Sequence, residues 1–72
     1  GKIVALIKPQ FEAGKSEVDR GAGVIRDPAI HQRVVDELRG FVETGGLRWV
    51  GVVESPITGP AGNKEFLALL CL

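Results

Sequence analysis

The sequence of 72 residues contains no methionine, a single cysteine and a single histidine. Without methionine the chain is not expected to begin where translation begins, and it reads as a piece of a longer protein. Cys71 alone excludes an internal disulfide. With His31 as the sole histidine, a Cys/His zinc site is excluded too. Nine basic and nine acidic residues cancel, which argues against a nucleic-acid clamp acting through overall basicity. The longest apolar run, residues 66–72, falls well short of the roughly 18 residues of a membrane span. No secretory leader is expected, because Gly1-Lys2 leads straight into a strand-like run. The length allows one small domain at most, and a chain this short buries only about 60% of its unfolded surface. A core without staples is marginal at that size.

What is present is sharply punctuated. Residues 3–7 are continuously apolar and closed by Lys8-Pro9, where proline ends the ladder. Continuous apolarity predicts a strand buried on both faces, the habit of parallel sheets. Residues 10–26 show no clean periodicity and read as a long loop. Asp27-Pro28 predicts a helix start, with Asp as N-cap and Pro at the first helical position. Ile30, Val34, Leu38 and Phe41 recur at helical spacing with Val35 and Val42 beside them. Arg33/Glu37 and Arg39/Glu43 stand at i,i+4, and Gly45-Gly46 closes the helix. Residues 47–53 predict a second strand, 54–63 a loop, and 66–72 a third strand.

The resulting order, β–long loop–α–β–loop–β, reads as one right-handed crossover unit plus a returning strand. Ligands of open α/β sheets sit outside the carboxyl ends of the strands. The first strand ends at Lys8 and a returning third strand starts at that same edge. Lys64-Glu65 is therefore expected to come near Lys8 for a topological reason. Three strands that are apolar on both sides also need two covers, and one helix supplies one. The other face is expected to be bare until another part of the protein, or a second copy, covers it.

Each candidate residue has a bland reading beside the chemical one. Lys8 is either a gatekeeper charge at a sheet edge or a partly desolvated lysine able to act as base or positioner. Glu65 is either a solvated strand-entry residue or the partner of Lys8. Ser55 and Thr58 suit turns and could also donate to a phosphate or ribose. Asn63 after Gly62 suits a left-handed backbone. Gly21-Ala22-Gly23 lacks the strand and helix context of a dinucleotide fingerprint and reads as loop flexibility. His31 is expected at the surface, Cys71 as a small buried hydrophobe and Trp49 as core or interface filling. Residues 1–26 carry five basic against three acidic residues, which places positive charge on the long loop where an anionic ligand could approach.

Two blocks are more specific: Lys8-Pro9-Gln10-Phe11-Glu12, and residues 55–66 running Ser-Pro-Ile-Thr-Gly-Pro-Ala-Gly-Asn-Lys-Glu-Phe. With Gly23-Val24-Ile25-Arg26-Asp27-Pro28 between them, they resemble the C-terminal part of the TlyA family, whose members also carry the name hemolysin. That family in turn resembles FtsJ-type RNA ribose methyltransferases. The resemblance covers essentially the whole chain. It implies an N-terminal S4-like RNA-binding domain and a Rossmann-like domain binding S-adenosylmethionine, with transfer to a ribose 2′-hydroxyl of ribosomal RNA in the cytoplasm. It implies that residues 1–72 are the C-terminal β-α-β-β portion of that α/β domain, two parallel strands joined by a helix and a last strand antiparallel. By motif match to the Lys-Asp-Lys-Glu tetrad of FtsJ-type enzymes, Lys8 corresponds to the second lysine and Glu65 to the glutamate. The first lysine, the aspartate and the cofactor loop would lie upstream of Gly1. The same resemblance makes Asn63 a substrate-side contact; Ser55 and Thr58 join it as substrate-binding candidates on their hydroxyls alone.

Methyl transfer from a sulfonium is an in-line displacement, so such an enzyme mainly aligns two groups and handles one proton. Lys8 would orient or deprotonate the hydroxyl, and Glu65 would fix Lys8. No metal is needed, and the isolated segment is expected to be inactive. A membrane-active protein is the contrasting reading, but the helix from Pro28 mixes both charge signs on its polar face. A third reading is a structural half-domain that self-associates through its bare sheet face.

Overall fold

A computed structural model describes residues 1–72. Its elements are β1 (Lys2–Ile7), α1 (Pro9–Glu12), α2 (Lys15–Arg20), α3 (Pro28–Thr44), β2 (Arg48–Glu54) and β3 (Phe66–Cys71), with a 3-10 turn over Pro60–Gly62. The strands form one sheet in the order β1-β3-β2. Both ladders are antiparallel, pairing Ile7 with Phe66 on one side of β3 and Glu54 with Phe66 on the other. The last strand is antiparallel as expected, but no parallel ladder forms. β1 and β2 run the same way only because each opposes β3, which lies between them.

The continuous apolar run of β1 is not buried on both faces. Ile7 is buried and Ala5 half-buried, whereas Val4 and Leu6 are 67% and 51% exposed. Alternation in burial is the strand's own period of two, with one face covered. The cover is α3, and the core is Ile7, Val34, Val35, Ala68 and Leu70. Each of these side chains stabilises by about 1.5–3 kcal/mol on burial, alanine less. On the opposite face Val4 and Leu6 lie beside Leu69 and Leu67 in register, and Val53 meets Leu67 from the other side. This bare face is the one the shortage of helices predicts. In β2, Val50 bulges between Trp49 and Gly51 where the register shifts.

The helices are set by local chemistry. Asp27 caps α3 by accepting from the Ala29 N–H at 2.9 Å, and Pro28 opens the first turn. At the other end the Gly46 and Leu47 N–H groups donate to Glu43 and Val42 O, a closing motif that needs the positive φ of Gly46. The predicted pairs Arg33–Glu37 and Arg39–Glu43 are present at 3.5 and 3.3 Å. The apolar stripe of α3 is the expected one over Ile30, Val34, Val35, Leu38 and Val42 and differs at its flanks. His31, Val34 and Val35 are buried and Leu38 and Val42 half-buried, while Phe41 is 78% exposed on the flank.

Residues 10–26 are not one long loop, since two short helices occupy residues 10–12 and 15–20 of it. Pro9 starts α1, and Glu17 reaches back to the Gly14 N–H at 3.1 Å to start α2. Arg33 of α3 then grips Glu17 with two hydrogen bonds, at 2.9 and 2.5 Å. That bidentate contact, followed by the Gly14 N–H bond, holds the Glu17 carboxyl down at about 2, and the hydrogen bonds to Glu17 raise the Arg33 guanidinium. The Gly21-Ala22-Gly23 segment is a closed turn rather than a flexible one. Ala22 and Gly23 donate to Asp19 and Val18 O, and Val24 donates back to Gly21 O.

Candidate functional site

The site lies where β1 ends and β3 begins. Ile7 is the last residue of β1, and Lys8 follows as the N-cap of α1, its carbonyl accepting from Phe11 and Glu12. Proline at position 9 forces this abrupt change from strand to helix, so Lys8 is held at the carboxyl edge of the sheet. Glu65 stands one residue before β3, and its carbonyl accepts from the Ser55 N–H at 2.8 Å, tying the end of β2 to the same point. The strand order therefore places three chain segments around one carboxylate.

Lys8 Nζ lies 3.9 Å from Glu65 Oε2, with the lysine side chain 37% exposed and the glutamate 8%. The topological convergence expected from the sequence is thus present. At 3.9 Å the contact is an ion pair longer than a hydrogen bond, so the ammonium's donors remain available to another acceptor. The ammonium also lies 5.4 Å above the Phe11 ring, a cation–π contact that restrains its stem. Glu65 takes its direct hydrogen bond from Gln10, whose Nε2 donates to the same Oε2 at 2.8 Å, both groups buried. Gly59 backs the carboxylate. A Cβ there would fall 2.8 Å from Glu65 Cδ and 3.2 Å from Gln10 Nε2, so only glycine leaves the carboxylate its place.

The remaining candidates are placed differently. Asn63 is buried with its amide used inside the chain: Oδ1 accepts from Ile25 N–H, and Nδ2 donates to Gly23 O and Pro60 O, each at 2.9 Å. The Asn63 amide pins the turn at residues 21–25 against the turn before β3. Ser55 Oγ accepts from the Ile57 N–H at 3.2 Å, closing a side-chain turn, and Thr58 is exposed nearby. Lys64 turns away to Glu54 at 3.8 Å. His31, expected at the surface, is buried. Its Nε2 hydrogen-bonds Ile25 O at 2.8 Å, which fixes the donor tautomer, and its ring meets Phe66 edge-on. Cys71 is half-buried at the strand end, and Trp49 packs against the core.

Gln10 and Gly59 were not picked out by sequence reasoning. The signal available for both was their membership of the two specific blocks, since nothing in their spacing reveals a contact across 55 residues. A cavity of about 310 Å³ is lined by Arg26, His31, Gln32 and Lys64 among others and does not include Lys8 or Glu65. No group of three or more His, Cys, Asp or Glu side chains is arranged to hold a metal ion. The residues present do not form a cradle for S-adenosylmethionine either. The Gly21–Gly23 turn closes a helix instead of joining a strand to one, and Glu65 is occupied by Lys8 and Gln10.

What the edge does hold is a lysine with free donors over a buried carboxylate, an arrangement suited to orienting a hydroxyl and managing its proton. The class is visible in the sequence comparison. The profile of the FtsJ-like methyltransferase family matches residues 2–71, and the chain belongs to that family. YqxC of Bacillus subtilis is 45% identical over 64 residues, which is 89% of this chain and 22% of that protein. The 16S/23S rRNA (cytidine-2'-O)-methyltransferase TlyA of Mycobacterium tuberculosis is 44% identical over 68 residues, 94% of this chain and 25% of that protein. A crystal structure bearing the name hemolysin, from Lactococcus lactis, superposes with a TM-score of 0.90 at 47% identity, covering 97% of this chain and 33% of that one. The chain thus spans about a quarter of the length of these curated relatives.

Proposed function

We propose that residues 1–72 are the carboxyl-terminal part of a methyltransferase domain that transfers a methyl group to a ribose 2′-hydroxyl of ribosomal RNA. The single observation that carries this reading is the Lys8–Glu65 pair at the carboxyl edge of the sheet. Family membership supports the reaction class, and the TlyA relative, named for 16S and 23S rRNA, supports the substrate. Lys8 orients the attacking hydroxyl: as the ammonium it donates to the hydroxyl oxygen, and only as the neutral amine does it take the proton released as the O–CH3 bond forms, while Glu65 fixes the position of Lys8. S-adenosylmethionine supplies the methyl group, bound by residues outside these 72. Those residues, with an S4-like RNA-binding domain, belong to the longer protein in this reading, and that protein acts in the cytoplasm on the ribosomal subunit or its RNA.

The bare sheet face of Val4, Leu6 and Val53 supports the same division. In the longer protein the cofactor-binding half covers it. The isolated 72 residues transfer no methyl group and self-associate through that face, and a monomer by light scattering would contradict the latter. The hemolysin name belongs to several relatives, but no helix here is long and apolar enough to cross a membrane. The outward face of α3 also carries both charge signs.

The test uses the longer protein, labelled S-adenosylmethionine and ribosomal RNA. Lys8→Ala is expected to lower turnover by about 10²–10⁴-fold while cofactor affinity stays within about twofold of wild type. Wild-type turnover by Lys8→Ala would remove the site assignment.

A further inference from the structure

We propose that Gln10 is a positioning residue for the reaction, its Nε2–H setting the orientation in which the Glu65 carboxylate faces Lys8. This rests on the reading of Lys8 and Glu65 given above and extends it to a residue that neither touches the reacting hydroxyl nor titrates.

The geometry leaves Gln10 one function. An ionised carboxylate only accepts, so the amide must present Nε2 to Glu65, and the 2.8 Å contact to Oε2 fixes which way round the side chain lies. That choice costs the amide its other half. Gln10 Oε1 is buried with no hydrogen-bond partner, in a chain where Asn63 has all its contacts satisfied. A buried acceptor left alone is unfavourable, and an apolar side chain of similar size would avoid it. A residue serving only as packing has no reason to carry that penalty. A residue serving to hold a carboxylate does.

Two further features belong to the same device. Lys8 at 3.9 Å is too far to orient Oε2 by a hydrogen bond, so Gln10 is the group that determines where the negative charge sits. Gly59 has no side chain at the point where a Cβ would crowd both Glu65 Cδ and Gln10 Nε2. Gln10 comes from α1, Gly59 from the turn before β3, and Lys8 from the end of β1. All three converge on one carboxylate oxygen or its carbon. The charged groups tied to the Gln10 amide are Glu65, which it bonds directly, and Lys8, ion-paired to the same carboxylate oxygen.

The test measures methyl transfer by the longer protein carrying Gln10→Leu, Gln10→Glu or Glu65→Gln, with kcat and KM for RNA and cofactor followed over pH relative to wild type. Gln10→Leu removes the donor at similar size. Its kcat is expected to fall about 10- to 100-fold, the worth of a hydrogen bond to a charged group, with both KM values within about twofold. Gln10→Glu sets a second carboxylate against the first, and the two share a proton at low pH. The shared O–H then stands in for the amide N–H, so activity relative to wild type is expected to recover as pH falls. Gln10→Leu shows no such recovery. A purely structural role would give losses in both variants that track melting temperature and ignore pH, and that result would overturn the proposal. If Gln10→Leu does not fold, the pH response of Gln10→Glu decides. Wild-type kcat and pH profile in both Gln10 variants, with Glu65→Gln inactive, would sink the role of Gln10 alone. Wild-type turnover by Glu65→Gln would instead sink the reading of the pair on which it rests.

Discussion

Asn63 and Glu65 stand two residues apart on the approach to β3, both buried, and their partners differ in kind. Asn63 is saturated: its amide is consumed by three backbone groups that close two turns. Glu65 is held by one amide that gives up its own second partner, and by an ammonium too distant to hydrogen-bond. The first arrangement leaves nothing for a ligand, so it is scaffold. The second leaves lysine donors free at an exposed edge, so it is where chemistry can happen. Both residues sit in one specific block of sequence, and only the accounting of partners separates them. The resemblance implies a substrate-side contact at Asn63; in the structure its amide holds the turn at residues 21–25 against the turn before β3.

Variants divide along the same line. The largest effect is expected at Lys8→Arg in the longer protein. Charge is kept, but the compact ammonium becomes a planar guanidinium that neither gives up its proton nor fits the same space. Turnover should fall by about 10²-fold or more while the melting temperature stays within a few degrees. Asn63→Ala should reverse that pattern. It strands the Ile25 N–H and two carbonyls, and a loss of about 2–4 kcal/mol in stability is expected from thermal or urea unfolding. Activity should follow the folded fraction. Gly59→Ala falls between the two, because the added methyl meets the carboxylate itself. It should cost about 1–3 kcal/mol by overpacking and reduce turnover of the fraction that folds.

The smallest effect lies away from both residues, at the Glu17–Arg33 clamp. Glu17 has its carboxyl lowered from 4.5 to about 2 by the Arg33 hydrogen bonds. A lowered carboxyl contributes stability that is present above its ordinary value and lost as pH falls toward about 2. Wild-type protein should therefore lose this contribution over that acid range, and Arg33→Ala should lack it at neutral pH and show a shallower acid response. Arg33 is exposed and Glu17 half-buried, so the pair is partly screened, and added salt should shrink the difference.

Much of the fold was legible because punctuation is local. Pro9, Asp27-Pro28 and Gly45-Gly46 act through their own dihedrals and donors, so the ends of β1 and α3 could be read from neighbours in sequence. α1 and α2 were not legible, because four and six residues are too few to display a period. α2 is also clamped by Arg33, 16 residues away from Glu17. The insertion of β3 between β1 and β2 was hidden for a similar reason: apolar runs reveal strands but not their neighbours. His31 and Phe41 lie on the flanks of the α3 stripe, where the helical period alone does not say which side is covered. The Lys8–Glu65 contact was legible because topology alone brings strand ends together. Gln10 was not, since its role depends on which half of an amide faces a carboxylate.

The most direct test is the turnover and melting temperature of Glu65→Gln in the longer protein, measured on one preparation with ribosomal RNA and S-adenosylmethionine. Replacing a buried charge by a neutral isostere that Gln10 can still hydrogen-bond is expected to leave melting unchanged or raise it slightly. Turnover is expected to drop about 100-fold or more. Turnover near wild type, or a loss explained entirely by a fall in melting temperature, would contradict the assignment of this edge as the reacting site.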